Sequence, residues 1–170
     1  MKSYFSLLLI LLFISCNKDD DNNSLGQTEA DIIQHLENNN LDATRTSNGV
    51  YYVINEQGNG DKPTDDAYVK VIYTGYFLDG EQFDTSGTNA VNFDLLAVIP
   101  GFTEGIVNFN IGSKGIILIP PSLAYGDYGV TNIIPGGAVL IFDIEVVEIN
   151  NPQSEDNIIE YLEENNLEAE

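Results

Sequence analysis

The chain contains 170 residues, with 27 acidic side chains against 6 Lys and Arg, so its formal net charge is −21. Six cations cannot form the basic surface that nucleic-acid phosphates require, and the same charge opposes adsorption to anionic lipid headgroups. One His and one Cys supply neither a Cys/His zinc site nor a disulfide, and they leave His35 as the one candidate base for triad-type catalysis. We therefore expect no nucleic acid, no metal and no cofactor, and a single globular domain with short extensions.

The chain begins with the pattern of an export signal over residues 1–16. Lys2 precedes an unbroken apolar run at residues 7–14, and Ser15 places a small residue before Cys16, the only cysteine. Eight apolar residues span about 12 Å as a helix, far short of the roughly 20 residues needed to cross a bilayer. The arrangement resembles a bacterial lipoprotein signal, which implies acylation of Cys16 and a membrane-anchored protein of the bacterial cell envelope, periplasmic or surface-facing. The alternative is an ordinary secretory signal in which the cysteine is incidental.

Residues 17–27 are acidic and rich in Asn, with no large apolar residue before Leu25. Such a composition cannot bury enough apolar surface to fold, so it predicts a disordered tether. Acidic residues soon after the cysteine are also similar to the surface-export signals of some bacterial lipoproteins, but a solvated linker is the simpler explanation.

The segment 28–48 predicts a short helix followed by a linker. Residues 28–31 have the character of a capping box, and apolar side chains then recur at helical spacing until three asparagines end the run. His35 falls off this apolar stripe, so we interpret it as a solvated helix residue and not as a catalytic base. The residues of the stripe are Ile32, Ile33 and Leu36.

This helical segment recurs near the C-terminus. Residues 157–170 repeat residues 31–44 with eight of the fourteen positions identical, and Tyr161 stands where His35 stands. The repeat predicts a helix in the C-terminal segment, 151–170. Two interpretations stay open: a second unit once followed or follows in a longer form, or both helices pack on one domain as paired end pieces.

The central segment, 49–150, shows the period-two alternation of strands. Residues 50–54, 68–76 and 138–149 are rich in Val, Ile, Tyr and Phe, and their alternation with polar side chains predicts one wet face. Turn sequences separate these strands. Residues 100–109 predict a short helix that covers the open face of the sheet. The fold class is therefore α+β, with an antiparallel sheet.

Short motifs of aromatic, Gly and Pro residues follow one another through this central domain. They are Ile-Tyr-Thr-Gly-Tyr at 72–76, Asp-Gly at 79–80, Phe-Asp-Thr-Ser at 83–86, Val-Ile-Pro-Gly-Phe at 98–102, Ile-Pro-Pro at 119–121, Ala-Tyr-Gly at 124–126, Ile-Ile-Pro at 133–135 and Leu-Ile-Phe-Asp at 140–143. Each motif is weak evidence alone. In this order and at this spacing, they together resemble the FKBP family of peptidyl-prolyl cis-trans isomerases.

The resemblance implies both a fold and a site. The fold is an antiparallel sheet of five to six strands wrapped around a short helix, with a prolyl pocket between helix and sheet. The N- and C-terminal helices predicted above from the apolar spacing and the repeat would flank this domain. Phe102 takes the floor position at which well-studied members have Trp. The catalytic residues implied are Tyr73, Phe83, Asp84, Ile99, Phe102, Tyr125 and Phe142, and further substrate contacts are implied for Phe93, Val98 and Ile134.

Such a pocket needs no acid, base, nucleophile or metal. An apolar site penalises the charge-separated planar amide more than the twisted transition state, so it lowers the rotational barrier. By resemblance, Ile99 offers a backbone N–H and Tyr125 a hydroxyl to substrate carbonyls, while Asp84, held by Tyr73, is the one charge in the pocket. We expect an isomerase that acts on proline-containing exported polypeptides as a membrane-tethered monomer.

Two other functions stay open. An FKBP-like domain can keep its cleft as a proline-peptide binding module or chaperone with little turnover. An adhesion or carbohydrate-handling lipoprotein is disfavoured, because sugar sites usually contain Trp and this chain has none.

Overall fold

The computed structural model describes residues 24–152, which form an antiparallel sheet with two α-helices. The predicted signal at 1–16, the first part of the tether and the repeat at 157–170 lie outside the described residues. In chain order the elements are α1 (Glu29–Asn38), β1 (Thr44–Arg45), β2 (Tyr51–Glu56), β3 (Tyr68–Tyr76), β4 (Gln82–Thr85), β5 (Val91–Asp94), α2 (Pro100–Ile106), β6 (Lys114–Ile119), a 3-10 turn (Pro121–Leu123) and β7 (Leu140–Asn150).

The strands follow the order β1-β2-β6-β7-β3-β4, and β5 shares with β4 the edge of β3 that faces away from β7. All of these pairings are antiparallel, which confirms the predicted fold class. The expected count of five to six strands is too low, because the sheet has seven strands within residues 24–152 alone. Thr44 and Arg45 add a two-residue strand, and the chain leaves the β3 edge between Thr85 and Val91, which divides that edge between β4 and β5.

Residues 24–27 are ordered, so the prediction of a disordered tether is wrong for this part of the segment. Leu25 and Gln27 donate their backbone N–H groups to the carbonyls of Gly136 at 2.7 Å and Gly137 at 2.9 Å. The side-chain oxygen of Gln27 also accepts a hydrogen bond from the backbone N–H of Val139 at 2.7 Å. These partners lie more than 100 positions away in the chain, so local composition carries no signal for them.

Helix α2 packs directly on β6 because its inner face carries two glycines. A Cβ added at Gly105 would lie 2.5 Å from Cγ2 of Ile117, and one added at Gly101 would lie 2.2 Å from Cγ2 of Ile119. The missing side chains therefore let the helix backbone approach the sheet. The helix ends at Ile106, three residues earlier than predicted, and its Phe102 side chain is buried in the core.

Helix α1 covers part of the opposite face of the sheet. Ile32 and Leu36 are buried and belong to a second apolar cluster on that face. The prediction of one wet face is therefore wrong for this part of the sheet, because the strands alternate between two covered faces. Ile33, expected on the apolar stripe, is 43% exposed. The strand residues buried in this cluster are Tyr51, Leu118 and Ile141.

Glu29 holds the start of α1 on the sheet. Its carboxylate accepts hydrogen bonds from Nε of Arg45 at 2.6 Å and from the hydroxyl of Tyr51 at 2.6 Å. The bond from Arg45 and, second, the bond from Tyr51 lower the pKa of Glu29 from 4.5 to about 2. Because the folded-state pKa lies below the ordinary value, the stabilisation is complete above pH 4.5 and is lost as the pH falls toward 2.

We expect Glu29→Gln to lower the temperature of unfolding at pH 7 and to have a smaller effect at pH 3. At pH 3 the unfolded carboxyl is already protonated, so the wild-type protein has lost part of the advantage of its ion pair. Thermal unfolding followed by circular dichroism at the two pH values measures this. Glu37→Gln is the matched control on the same helix, and a deficit of Glu29→Gln that is equal at both pH values would contradict the prediction.

Candidate functional site

A cavity of about 860 Å³ opens between α2 and the concave face of the sheet. This volume suits a small side chain with its flanking peptide groups, since ligand cavities commonly span about 300–1,000 Å³. The structure brings together at this cavity every pocket residue that the motifs predicted. The predicted residues in its lining are Tyr73, Phe83, Asp84, Phe93, Val98, Ile99, Phe102, Tyr125, Ile134 and Phe142.

The floor of the cavity is built from aromatic rings that meet edge to face. Phe102 on α2 contacts Phe142 on β7, with ring centroids 5.4 Å apart and planes at 82°. Phe83 on β4 stands perpendicular to Phe142 at 5.6 Å, and Phe93 on β5 meets Phe102 at 5.7 Å. Edge-to-face contacts fix ring orientation as well as position. The floor is therefore apolar and closely packed, and its rings come from four different elements.

Gly75 on β3 makes room for the Phe83 ring. A Cβ added at Gly75 would lie 2.5 Å from Cζ of Phe83 and 2.7 Å from Cε2, well inside van der Waals contact. Gly75 pairs with Asp84 on one side and with Phe142 on the other. The Phe83 ring therefore packs directly against the backbone of β3 at Gly75. A side chain at position 75 would push the ring toward the cavity, so this glycine determines the depth of the cavity at this wall.

Tyr73 and Asp84 form a hydrogen-bonded pair on the wall of the cavity. The Tyr73 hydroxyl donates to Oδ2 of Asp84 at 2.6 Å, as the motifs implied, and Oδ1 accepts from the backbone N–H of Thr85 at 2.8 Å. Burial, and after it the bond to Asp84, raises the pKa of Tyr73 to about 12. Tyr73 therefore stays protonated at neutral pH and remains a donor to the carboxylate.

Among the hydrogen-bond donors at the cavity, two that the family resemblance singled out have no acceptor among residues 24–152. One is the backbone N–H of Ile99, the residue that caps the N-terminus of α2. The other is the hydroxyl of Tyr125, whose side chain is 41% exposed. Pro100 follows Ile99 at the first position of the helix, where a residue without an N–H costs nothing. Both donors are available to a ligand that offers carbonyl oxygens.

Six residues of the lining were not among the predicted site residues. One of them is Asp94, so the expectation of a single charge is wrong. Asp94 ends β5, and its Oδ1 accepts a hydrogen bond from the backbone N–H of Leu96 at 2.9 Å. The six residues are Asn92, Asp94, Ala97, Pro100, Val130 and Ile133.

The described residues contain no cluster of three or more His, Cys, Asp or Glu side chains that could hold a metal ion. Within the same range, neither helix is both long and apolar enough to span a bilayer. The cavity itself offers apolar walls, the carboxylates of Asp84 and Asp94, and the donors of Ile99 and Tyr125.

The family model described as FKBP-type peptidyl-prolyl cis-trans isomerase matches residues 60–147, a range that contains most of the sheet and every residue that lines the cavity. The chain therefore belongs to the FKBP-type peptidyl-prolyl cis-trans isomerase family. Among curated relatives, FkpA of Aeromonas hydrophila is 41% identical over 112 residues, which cover 65% of this chain and 41% of the relative. FkpA of Escherichia coli K12 is 42% identical over 106 residues, covering 61% of this chain and 39% of the relative.

Solved structures agree with this assignment. The crystal structure of FkpA from Escherichia coli matches with a TM-score of 0.65 and 37% identity, over 76% of this chain and 60% of that one. A peptidyl-prolyl isomerase from Pseudomonas syringae matches with a TM-score of 0.64 and 29% identity, over 73% of this chain and 96% of that one. The chain spans about two fifths of the length of the curated relatives named above.

Proposed function

We propose that this chain catalyses cis–trans isomerisation of X–Pro bonds in polypeptides. The observation that carries the proposal is the cavity itself, which combines an edge-to-face aromatic floor with two free hydrogen-bond donors. A proline ring is compact and apolar, and the peptide groups beside it present carbonyl oxygens. The cavity offers a complementary partner for each of these parts.

The barrier to the reaction is the loss of amide resonance, which amounts to about 18–20 kcal/mol, so the uncatalysed step takes tens to hundreds of seconds. The planar amide is the more charge-separated form, and the twisted form localises the nitrogen lone pair. A dry aromatic cavity therefore destabilises the planar form more than the twisted one. Each 1.36 kcal/mol of this difference gives a tenfold gain in rate.

Each residue of the cavity contacts a different part of the bound substrate. Phe102 supports the proline ring from below, and Tyr73, Phe83 and Phe142 close its sides. The Ile99 N–H holds the carbonyl of one neighbouring residue, and the Tyr125 hydroxyl holds the next. Asp84 transfers no proton, because rotation about the X–Pro bond requires none; its oxygens hold Tyr73 and the backbone of Thr85 in place. The remaining contacts are made by Phe93, Val98 and Ile134.

The test is a cis–trans exchange assay by nuclear magnetic resonance on a Leu-Pro peptide, with Tyr125→Phe as the matched variant. We expect the protein to accelerate exchange, and Tyr125→Phe to lower kcat/KM by about three- to tenfold through the loss of one hydrogen bond worth about 0.5–1.5 kcal/mol. If the peptide binds but its exchange is no faster than in buffer, the protein is not an isomerase, and the alternative of a proline-peptide binding module is supported. Equal activity of Tyr125→Phe would refute the role given to its hydroxyl.

We further propose that the protein works on exported polypeptides from a lipid anchor at Cys16, as a monomer. The sequence pattern of residues 1–16 supports the anchor, and the net charge of −21 opposes self-association. Ser24, which pairs with Gly136 beside the cavity loop, lies eight residues after Cys16. Eight residues reach at most about 28 Å, so the site would work close to a membrane surface.

Expression of the full chain in a bacterium tests the anchor. We expect mass spectrometry to find a diacylglyceryl group on Cys16, and Cys16→Ser to leave the membrane fraction. Ser15→Ala is the control, because it keeps a small residue before the cysteine. An unmodified Cys16, or a Cys16→Ser protein that stays with the membrane, would overturn the anchor and leave the isomerase proposal untouched.

A further inference from the structure

A second cavity of about 500 Å³ adjoins the prolyl cavity. The two cavities share three lining residues, Val130, Ile133 and Ile134, which come from the loop before β7. Ile133 is 59% exposed between them. A polypeptide whose proline fills the first cavity can therefore extend its neighbouring residues across this shared wall and over the second cavity.

The two cavities carry only acidic charge. Asp84 and Asp94 line the first, and Glu81 and Asp127 line the second. None of the four basic side chains within residues 24–152 lines either cavity. Three of these four form ion pairs elsewhere on the surface: Arg45 with Glu29, Lys70 with Glu148, and Lys114 with Glu56 and Glu145.

The carboxylates of the second cavity differ from those of the first because they have no hydrogen-bond or ion-pair partner within residues 24–152. Asp84 and Asp94 accept hydrogen bonds from neighbouring residues, which fixes them to the fold. The side chains of Glu81 and Asp127 accept no hydrogen bond and form no ion pair with any part of the chain that the structure describes. Two unneutralised carboxylates thus face the space beside the prolyl cavity.

An aromatic ring stands beside these carboxylates. Tyr128 lines the second cavity, and 98% of its side chain is exposed, so almost none of its apolar surface is used by the fold. The face of an aromatic ring attracts a cation, and a long basic side chain also brings methylene groups to cover it. Carboxylates and an open ring together match the chemistry of Lys and Arg.

From this arrangement we infer that the second cavity binds a Lys or Arg side chain of the substrate, so that the protein acts preferentially on prolines with a basic neighbour. The inference rests on the proposed isomerase function, and it names the substrate class of that same site. Acidic neighbours are discriminated against, because they would meet four carboxylates without a counterion. Long-range attraction by the net charge of −21 acts in the same direction and adds a dependence on ionic strength.

The test compares peptides that share one X–Pro bond and carry Lys, Ala or Glu two to three residues away, on the N-terminal side in one series and on the C-terminal side in another. We expect kcat/KM for the Lys peptide to exceed that for the Glu peptide by about tenfold in at least one series, which is the combined size of two exposed ion pairs and a cation–π contact. The ratio should fall several-fold at roughly 0.5 M NaCl. Equal values for Lys and Glu in both series would overturn the inference.

The Ala peptide separates this inference from the function on which it depends. No acceleration of the Ala and Lys peptides alike would refute the isomerase proposal, whereas equal acceleration of all three would refute only the basic-neighbour preference.

Variants assign the preference to the second cavity. We expect Glu81→Gln combined with Asp127→Asn to reduce the Lys-to-Glu ratio several-fold at low salt, and Tyr128→Leu to reduce it about two- to threefold through loss of the cation–π contact. The control is Glu37→Gln combined with Asp42→Asn, which removes the same charge in and just after α1, on the other face of the sheet. If the Lys-to-Glu ratio falls equally in the control variant, the preference comes from net charge and the second cavity does not bind the basic side chain.

Discussion

Phe102→Leu is expected to lower kcat/KM for an X–Pro peptide on the order of thirtyfold, which corresponds to about 2 kcal/mol of transition-state stabilisation. The Phe102 side chain is only 4% exposed, and its ring meets Phe93 and Phe142 edge to face. Leucine fills less of this space and removes one orienting aromatic partner from each of the two neighbouring rings. The floor then yields under the proline ring, and water enters a cavity whose effect depends on being dry.

The effect on activity has to be separated from the effect on stability, and the chain provides a matched control. Phe109 is a fully buried phenylalanine of the same core, and it does not line the cavity. We expect both Phe102→Leu and Phe109→Leu to cost about 1–2 kcal/mol in urea unfolding. Only Phe102→Leu should lose activity. Equal losses of activity in the two variants would show that the cavity floor has no specific role.

Gly75→Ala is expected to destabilise the fold by about 1–3 kcal/mol, although alanine ordinarily suits a strand better than glycine does. The added Cβ would lie 2.5 Å from the Phe83 ring, which has to move. The Phe83 ring packs against Phe77 and Phe142, with ring centroids 5.0 Å and 5.6 Å away. A displaced Phe83 ring therefore disturbs the cavity wall as well. Activity should fall together with stability, as measured by urea unfolding and the exchange assay.

A double-mutant cycle that combines Gly75→Ala with Phe83→Ala tests whether the ring is the cause. In the Phe83→Ala background the ring is gone, so the methyl group added at position 75 has space. Gly75→Ala should therefore add little to the destabilisation caused by Phe83→Ala. We expect an interaction free energy of about 1–3 kcal/mol between the two positions. Additive effects would mean that Gly75 acts through the strand backbone and not through Phe83.

The predictions of the site from sequence were strong where short motifs carry it. Ile99 and Phe102 lie three residues apart at the start of one helix, and Tyr73 reaches Asp84 because β3 and β4 pair directly. Such residues are close in space because they are close in the chain or lie on directly paired strands, so the sequence alone indicates that they are neighbours. Asp94 was missed because its place at the cavity depends on where β5 ends, which no local pattern records.

The same distinction explains the outcome for the fold. Alternation and turn residues were enough to predict an antiparallel α+β domain and the helix that covers its concave face. The role of α1 required tertiary structure. Its apolar stripe shows that some surface must cover Ile32 and Leu36, but not that this surface is the back of the sheet at Tyr51 and Leu118.

By itself, therefore, the sequence determined the class of fold, the family and, through the family resemblance, ten of the sixteen residues that line the prolyl cavity. Most of these ten lie in short motifs, so their neighbours along the chain already identify them. Only the tertiary structure decided the depth of the cavity at Gly75, the ordering of residues 24–27 and the juxtaposition of a second, acidic cavity with the first. These features arise from pairs of residues far apart in the chain. A sequence pattern states which side chains need partners, whereas the packed structure decides which partners they meet.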